Sequence, residues 1–543
     1  MIPQDQIQEI RRISTFIPNS QFPIPNYNKE GGRAMLAFVS SCGLSGIDGF
    51  AVDVEVNLGQ GMPMFEIVGL PDASVKESRE RVRAALKNSG FAFPSARLTV
   101  NLAPADQKKE GPSYDLPIAL GILTCMGIAP QEALRDTCVF GELSLDGSVR
   151  PVRGALPMVI SARERGVRRV MLPRDNVNEV SCVEGLEIYP VASLWAAARH
   201  FTGELPIDPV EPVAYQALIS RRQYSEDFCH VKGQALAKRA LEIAAAGGHN
   251  VLLIGPPGSG KTLMARCMPT ILPDMTFEEA LEATRIHSVA GIVPPSGLLT
   301  ERPFRSPHHT ASHASLVGGG PNALPGEISK AHNGVLFLDE LPAYRRDVLE
   351  ALRQPMEDGF VTITRVNAQS TYPSRFVLVC SMNPCPCGNL GSRTKQCRCT
   401  PNEIRRYLNR ISGPLLDRID MHIEVESIPA ENLSDTALSE SSDSIRKRVE
   451  AARQVQLERY KTIGIHANAE LNARTLARAC NMTREAQALL LASTERLKLS
   501  NRAYTRILKV ARTIADLDGF NEIEEAQIAE AVQYRTLDRK YWG

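Results

Sequence analysis

Little in this 543-residue chain marks it for a membrane, for export or for a highly charged partner. Its 62 Lys and Arg residues almost cancel its 61 Asp and Glu residues, leaving a net charge of +1. No global field draws such a chain to nucleic acid or to an anionic surface, so binding of that kind must rest on local basic patches. An apolar stretch without a charge, residues 116–131, is too short to span a bilayer and contains Pro117 and Pro130. The start is polar and broken by prolines, without the pattern of a secretory signal. Tandem repeats and long low-complexity segments are also missing. The expectation is a cytoplasmic chain with no membrane partner. In that setting twelve cysteines do not read as a disulfide framework, and eight of them are scattered, as small buried hydrophobes would be.

What is present is ordinary in bulk and informative in order. Hydrophobic residues make up 43% and charged residues 23%, as in globular proteins generally. The length suggests roughly three or four domains. Residues 1–34 are polar, aperiodic and rich in Pro and Asn, and are expected to be a flexible leader or an upstream start extension, with Met35 as a second start. Residues 35–204 mix strands with short helices: 52–58 alternates apolar and polar, and 74–88 reads as a charge-rich amphipathic helix closed by Ser89-Gly90. A linker, 205–225, opens with Pro206, Pro209 and Pro212. Residues 226–427 alternate helices with apolar strands at 251–254, 335–338 and 376–380, the α/β pattern of a parallel sheet. From 428 to 543 strands vanish, and helices are predicted at 444–460, 484–497, 505–517 and 524–533. The fold class is α/β and multidomain.

The sharpest signal is Gly255-Pro256-Pro257-Gly258-Ser259-Gly260-Lys261-Thr262, set between the apolar run 251–254 and a helix start at 263–266. Strand, glycine loop, Lys-Thr and helix together form the context of a phosphate-binding loop, which a chance glycine turn would lack. Its glycines let backbone N–H groups wrap phosphate oxygens at a helix N-terminus. Lys261 is expected at the β- and γ-phosphates of ATP and Thr262 on Mg²⁺. Downstream, the apolar run 334–338 ends in Asp339 and Glu340. Asp339 suits the Mg²⁺ shell and Glu340 suits polarising the attacking water. The next strand leads to Asn383, a neutral amide able to orient that water, or else a turn residue before Pro384. Arg418 reads either as a surface ion pair or as an arginine finger reaching a neighbour's nucleotide, and Arg502 as a solvated residue or a γ-phosphate contact from the helical region.

Four cysteines are not scattered. Cys385, Cys387, Cys397 and Cys399 form two C-x-C pairs in a loop rich in Gly and Pro, suited to Zn²⁺, with reduced thiols or a redox pair as the alternatives. Around them stand Arg393, Lys395, Arg398, Arg405, Arg406 and Arg410 against Glu403, a candidate contact for a phosphate backbone or a solvated rim. His308, His309 and His313 stand close in sequence, but no acid nearby completes a ligand set, and structural or inter-subunit roles are favoured.

The order and spacing of these motifs resemble an AAA+ ATPase of the clade with magnesium chelatase, MoxR and MCM proteins. The segment 352–359 followed by 361–365 looks like that clade's helix and pre-sensor hairpin, which would face the pore of a ring; an ordinary hairpin at a sheet edge is the alternative. The segments 68–73, 75–81, 232–234, 244–250, 302–309 and 413–420 narrow the likeness to the ComM/YifB family, and the resemblance runs from about residue 35 to the end. It implies a Lon-protease-like α+β N-terminal domain, an AAA+ core and a C-terminal helical lid. Residues 109–113, 141–143 and 147–152 resemble the surroundings of the Lon catalytic serine, but Leu156 falls where the family's lysine would stand. Leucine accepts no proton, so the domain is expected to be protease-inactive and Ser113 a turn residue. The RadA recombination ATPase offers an analogy for such a domain in ring assembly. The family further implies a hexameric ring that acts on single-stranded and branched DNA during natural transformation, with a recombinase filament as a candidate partner. The alternative is a remodelling or metal-insertion chaperone without DNA translocation.

Overall fold

The computed structural model describes residues 35–220, 224–320, 323–365, 368–391, 395–427 and 439–542. The expected leader, 1–34, and Arg393 of the basic stretch lie outside them. The chain divides into two compact units, with residues 35–44 and 48–212 in one, and 45–47 and the chain from Val213 in the other. Among the described residues no helix is long and apolar enough to cross a membrane.

The first unit is built on a seven-stranded mixed sheet. Its strands run in the order Met64–Val68, Arg97–Ala103, Asp48–Gly59, Met35–Ser45, Thr137–Val139, Arg169–Pro173, Glu187–Val191. Val52, Val54, Val56 and Leu58 are buried in alternation along the second strand of the chain, as a pleat with one wet face requires. That strand pairs antiparallel with Arg97–Ala103, while Thr137–Val139, Arg169–Pro173 and Glu187–Val191 pair in parallel. The helix Ala73–Asn88 starts where the Asp72 carboxylate accepts from Val75 N at 2.8 Å, and it buries Val75, Val82, Ala85 and Leu86. The apolar helix Asp115–Cys125 is buried along its whole length.

The second unit holds a five-stranded, all-parallel sheet in the order Phe304–Arg305, Gly334–Leu338, Phe376–Met382, Val251–Ile254, Met421–Glu424. Val251, Leu252, Leu253 and Ile254 are each fully buried, which contributes about 1.5–3 kcal/mol per side chain. Helices on both faces explain why this strand is apolar throughout and does not alternate. The helices after residue 439 share one hydrophobic core with the sheet: Val449, Tyr460, Ile507, Ala511 and Ile514 cluster with Val251, Leu253 and Met264. Two of them begin earlier than the periodicity predicts. Ser441 caps Ser442–Tyr460 and Ser500 caps Asn501–Asp518, each accepting a backbone N–H three residues on. The hairpin of Phe360–Arg365 and Ala368–Pro373 is a two-stranded sheet of its own, outside the five-stranded one.

Candidate functional site

Because the five strands are parallel, all their C-terminal ends lie on one edge, the usual place for a ligand in such a sheet. Register fixes which residues meet there. Ile254 pairs with Met382 and Leu338 with Cys380, so Gly255, Asp339 and Asn383 emerge side by side. Gly258 (φ 78°) and Gly260 (φ 87°) are left-handed, a conformation that favours glycine. Gly260 caps the helix Lys261–Ile271, which therefore begins at the lysine, two residues before the predicted start.

Lys261 is buried, and its Nζ donates to the carbonyls of Gly255 and Pro256, both at 2.8 Å, and to Asn383 Oδ1 at 3.4 Å. Burial lowers its pKa, opposed by the charges of Asp339 and Glu340. Thr262 Oγ1 donates to Asp339 Oδ2 at 3.1 Å. The other oxygen of Asp339 accepts from Ser381 Oγ, and from Glu340 N at 3.0 Å. Glu340 itself is exposed and left-handed (φ 53°, ψ 51°), strain of a kind that collects at functional sites. The set fits ATP with Mg²⁺. A hydroxyl and a carboxylate of the right hardness for Mg²⁺ are already paired, and an ammonium held by loop carbonyls is available to phosphate. The buried Ser259 hydroxyl, which has no partner among the described residues, is consistent with a loop shaped around acceptors.

Three members of this edge leave little trace in the sequence. Ser381 orients Asp339, and its only signal is its place two residues before Asn383. Gln234 Nε2 donates to Glu426 O at 2.7 Å and Ser259 O at 3.3 Å, bracing the loop from outside. Gly388 (φ 77°) rests on the loop: a Cβ there would meet Pro257 Cδ at 2.5 Å.

That glycine belongs to the cysteine loop, so the loop that carries the thiol cluster touches the phosphate-binding loop at Pro257. Cys385 Sγ lies 3.4 Å from Cys387 Sγ and 3.6 Å from Cys397 Sγ, and the ligand atoms of all four cysteines fall within 4.8 Å of one another. A tetrahedron of thiolates about 2.3 Å from a Zn²⁺ has edges of about 3.8 Å, so the donor set fits. Backbone N–H groups of Arg398 and Asn389 draw the Cys387 thiol down to about 6. Burial and the neighbouring thiols push Cys385 up. Against the Cys387 backbone N–H, the Cys387 and Cys385 thiols push Cys399 up to about 12, so among these three the thiolate is favoured at Cys387 alone. Lys395, Arg398, Arg405, Arg406 and Arg410 are exposed nearby. The histidines form no metal group among the described residues: His308 and His309 lie tilted against each other at 4.1 Å between ring centroids, and His313 only begins the next helix.

Arg418 and Arg502 are not brought to this edge. Arg418 O accepts from Asn250 Nδ2 at 3.2 Å, and Asn250 stands immediately before the strand Val251–Ile254, at the N-terminal edge of the sheet. Arg506 pairs at 2.7 Å with Asp420, whose other oxygen accepts from Asn250 N at 2.9 Å. Arg502, exposed in the first turn of the same helix, precedes Arg506 by one turn.

In the first unit, Lys109 is fully buried and donates to the carbonyls of Pro104 and of Gln107, the latter at 2.8 Å. Ser113 lies in a turn, and Leu156 is buried in the helix Ala155–Glu164.

A P-loop on a parallel sheet, with an acid-tipped strand one strand removed from it, defines a P-loop nucleotide-binding protein. Family models agree: "Magnesium chelatase, subunit ChlI" matches residues 227–433, "Subunit ChlI of Mg-chelatase" residues 54–176, and "Magnesium chelatase, subunit ChlI C-terminal" residues 439–535. The chain is 43% identical over 507 residues to competence protein ComM of Haemophilus influenzae, covering 93% of this chain and 98% of that one. It is 42% identical over 505 residues to YifB of Escherichia coli K12, with the same coverage. To Rv2897c of Mycobacterium tuberculosis it is 41% identical over 499 residues, covering 91% and 97%. The chain belongs to the ComM/YifB family of magnesium-chelatase-like AAA+ proteins.

Proposed function

We propose that this chain is an ATP-hydrolysing, ring-forming DNA motor that drives branch migration and so promotes integration of incoming DNA by homologous recombination. The observation that carries the reading is the division of the chemistry between two edges of one sheet. Lys261, Thr262, Asp339, Glu340 and Asn383 stand at the C-terminal edge, and Arg418 stands at the N-terminal edge with Asn250. A strand of four residues spans about 13 Å, so Arg418 serves the nucleotide of the next subunit and not its own. Arg502, at the same edge, joins it there. Such head-to-tail pairing generates a closed ring, here a hexamer.

In that ring Lys261 and the loop amides bind the phosphates, Asp339 and Thr262 hold Mg²⁺, Glu340 takes the water's proton, and Asn383 orients the water. The hairpin Phe360–Pro373 faces the pore and tracks single-stranded or branched DNA. The four cysteines hold Zn²⁺, which orders a basic loop for the phosphate backbone. The first unit is a Lon-like scaffold without protease activity, a reading supported by the absence of a base at Leu156. The motor works in the cytoplasm beside a recombinase filament. A relative that carries the name competence protein ComM supports the choice of DNA over metal insertion or protein remodelling.

The test is release of a fluorescent strand from three-way and four-way DNA junctions, run beside ATP hydrolysis with and without DNA. Strand release together with DNA-stimulated hydrolysis is expected. Active hydrolysis that ignores DNA and releases no strand would instead favour the remodelling chaperone.

A further inference from the structure

Arg418 does not wait free for a neighbour's nucleotide. Its side chain is 7% exposed, while that of its carboxylate partner Glu357 is 51% exposed. Nη2 donates to Glu357 Oε1, Nη1 donates to Pro414 O at 2.7 Å, and the buried Nε–H has no acceptor among the described residues. A guanidinium satisfied in part is held in a site that another anion can complete.

Glu357 is placed to report on that exchange. It lies in the helix Arg353–Asp358, which ends at Gly359 (φ 73°) and leads directly into the hairpin strand Phe360–Arg365. Gly359 O accepts from Ser374 N at 2.8 Å, which ties both ends of the hairpin to this turn. Glu357, Asp358 and Gly359 also line a cavity of about 540 Å³ at the N-terminal edge of the sheet, together with Arg453, Arg506 and Lys509.

We propose that Glu357 is a latch. It holds Arg418 while the subunit stands alone and yields it to the nucleotide phosphate of the adjoining subunit when the ring closes, and the release is felt at once by the hairpin. The proposal rests on the reading of Arg418 as a residue that serves the next subunit. Its physics is a competition between two anions for one guanidinium. A phosphate offers more charge and a bidentate face, and a half-exposed carboxylate loses little by returning to water. Glu357 is thus a positioning residue that acts through Arg418 and touches no substrate. One ion pair then links the occupancy of one nucleotide site to the pore element of the neighbouring subunit.

The experiment uses the full chain with Glu357→Gln, which keeps shape and removes charge, and Glu357→Asp, which keeps charge and shortens the arm. Arg418→Ala is the control. ATP hydrolysis is measured without DNA over a range of protein concentrations, and hydrogen exchange is followed at residues 353–373 with and without ATP. The Gln variant should hydrolyse ATP about 2- to 5-fold faster than the parent at low protein concentration, the size expected of one half-exposed ion pair. The difference in exchange caused by ATP at 353–373 should vanish, and the Asp variant should fall between. A Gln variant with a parental melting temperature but an unchanged or lower rate, or with the ATP-dependent difference intact, overturns the latch. If the Gln variant does not fold, the Asp variant decides by the same criteria. Parental hydrolysis in Arg418→Ala overturns the reading of Arg418 and the latch with it, whereas the other adverse results overturn the latch alone.

Discussion

Each unit of this protein buries a lysine whose ammonium donates to two carbonyls of its own loop. Lys109 does so to Pro104 and Gln107, and Lys261 to Gly255 and Pro256. Burial lowers the pKa of both, against the pull of Asp106 on the first and of Asp339 and Glu340 on the second. A perturbed buried lysine is therefore no proof of a site. What separates the two is the company. Around Lys261 two neighbouring strand ends present a hydroxyl-bonded acid followed by a second acid in a left-handed turn, and an amide oxygen. Around Lys109 the described hydrogen-bond partners are two loop carbonyls, and the one charge that pulls on it is Asp106. One lysine is part of a constellation and the other fills a loop.

The comparison can be broken most severely at the partner residues. Arg418→Ala should lower ATP hydrolysis by about 10³- to 10⁵-fold. Mixing that variant with Lys261→Ala should restore part of the activity, because each chain supplies the half the other lacks, and the absence of any recovery would refute action across subunits. Glu340→Gln should slow turnover about 10²- to 10⁴-fold while nucleotide binding, read by equilibrium titration, is retained. Next in size is a stability effect. Burial would raise the Asp420 pKa, but Arg506 and then its hydrogen bonds hold it well below the usual carboxylate range. A depressed carboxylate stabilises the fold above its unfolded value of about 4 and loses that contribution as the pH falls below it. Asp420→Asn should cost about 3 kcal/mol in urea unfolding at pH 7, and its stability should vary less than the parent's between pH 5 and pH 3. Smallest is Lys109→Met, which should cost about 1 kcal/mol and leave ATP hydrolysis at the parental rate. Casein should remain intact with parent and variant alike; cleavage lost on Ser113→Ala would restore Lys109's loop to the status of a site.

Local patterns carried much of this architecture. The buried strand Val251–Ile254 and the helix Arg484–Leu497 stand where the sequence puts them, and the strand predicted at 335–338 is Gly334–Leu338. Asp339 and Asn383 are legible because strand tips advertise themselves by an abrupt change from apolar to polar. Capping serines moved two helix starts by a few residues, since a cap adds a turn outside the apolar period. The rest is long-range and leaves no period to read. Nothing in Gly388 announces that it will press on Pro257, more than a hundred residues away in sequence. Arg418 and Glu357 are likewise far apart, and their pairing depends on how one turn and one helix pack below the sheet.

The four-residue strand between Asn250 and Gly255 has a consequence for inheritance. If Arg418 serves the next subunit as proposed, a chain that keeps its P-loop but lacks Arg418 would still enter assemblies, and there it would damage its neighbour's site and leave its own chemistry untouched. On the proposed reading, a cell carrying one sound and one such defective copy of the gene would be expected to behave much as if both were lost. Dominance of that kind is an outcome of geometry, set by the distance between two ends of a short strand.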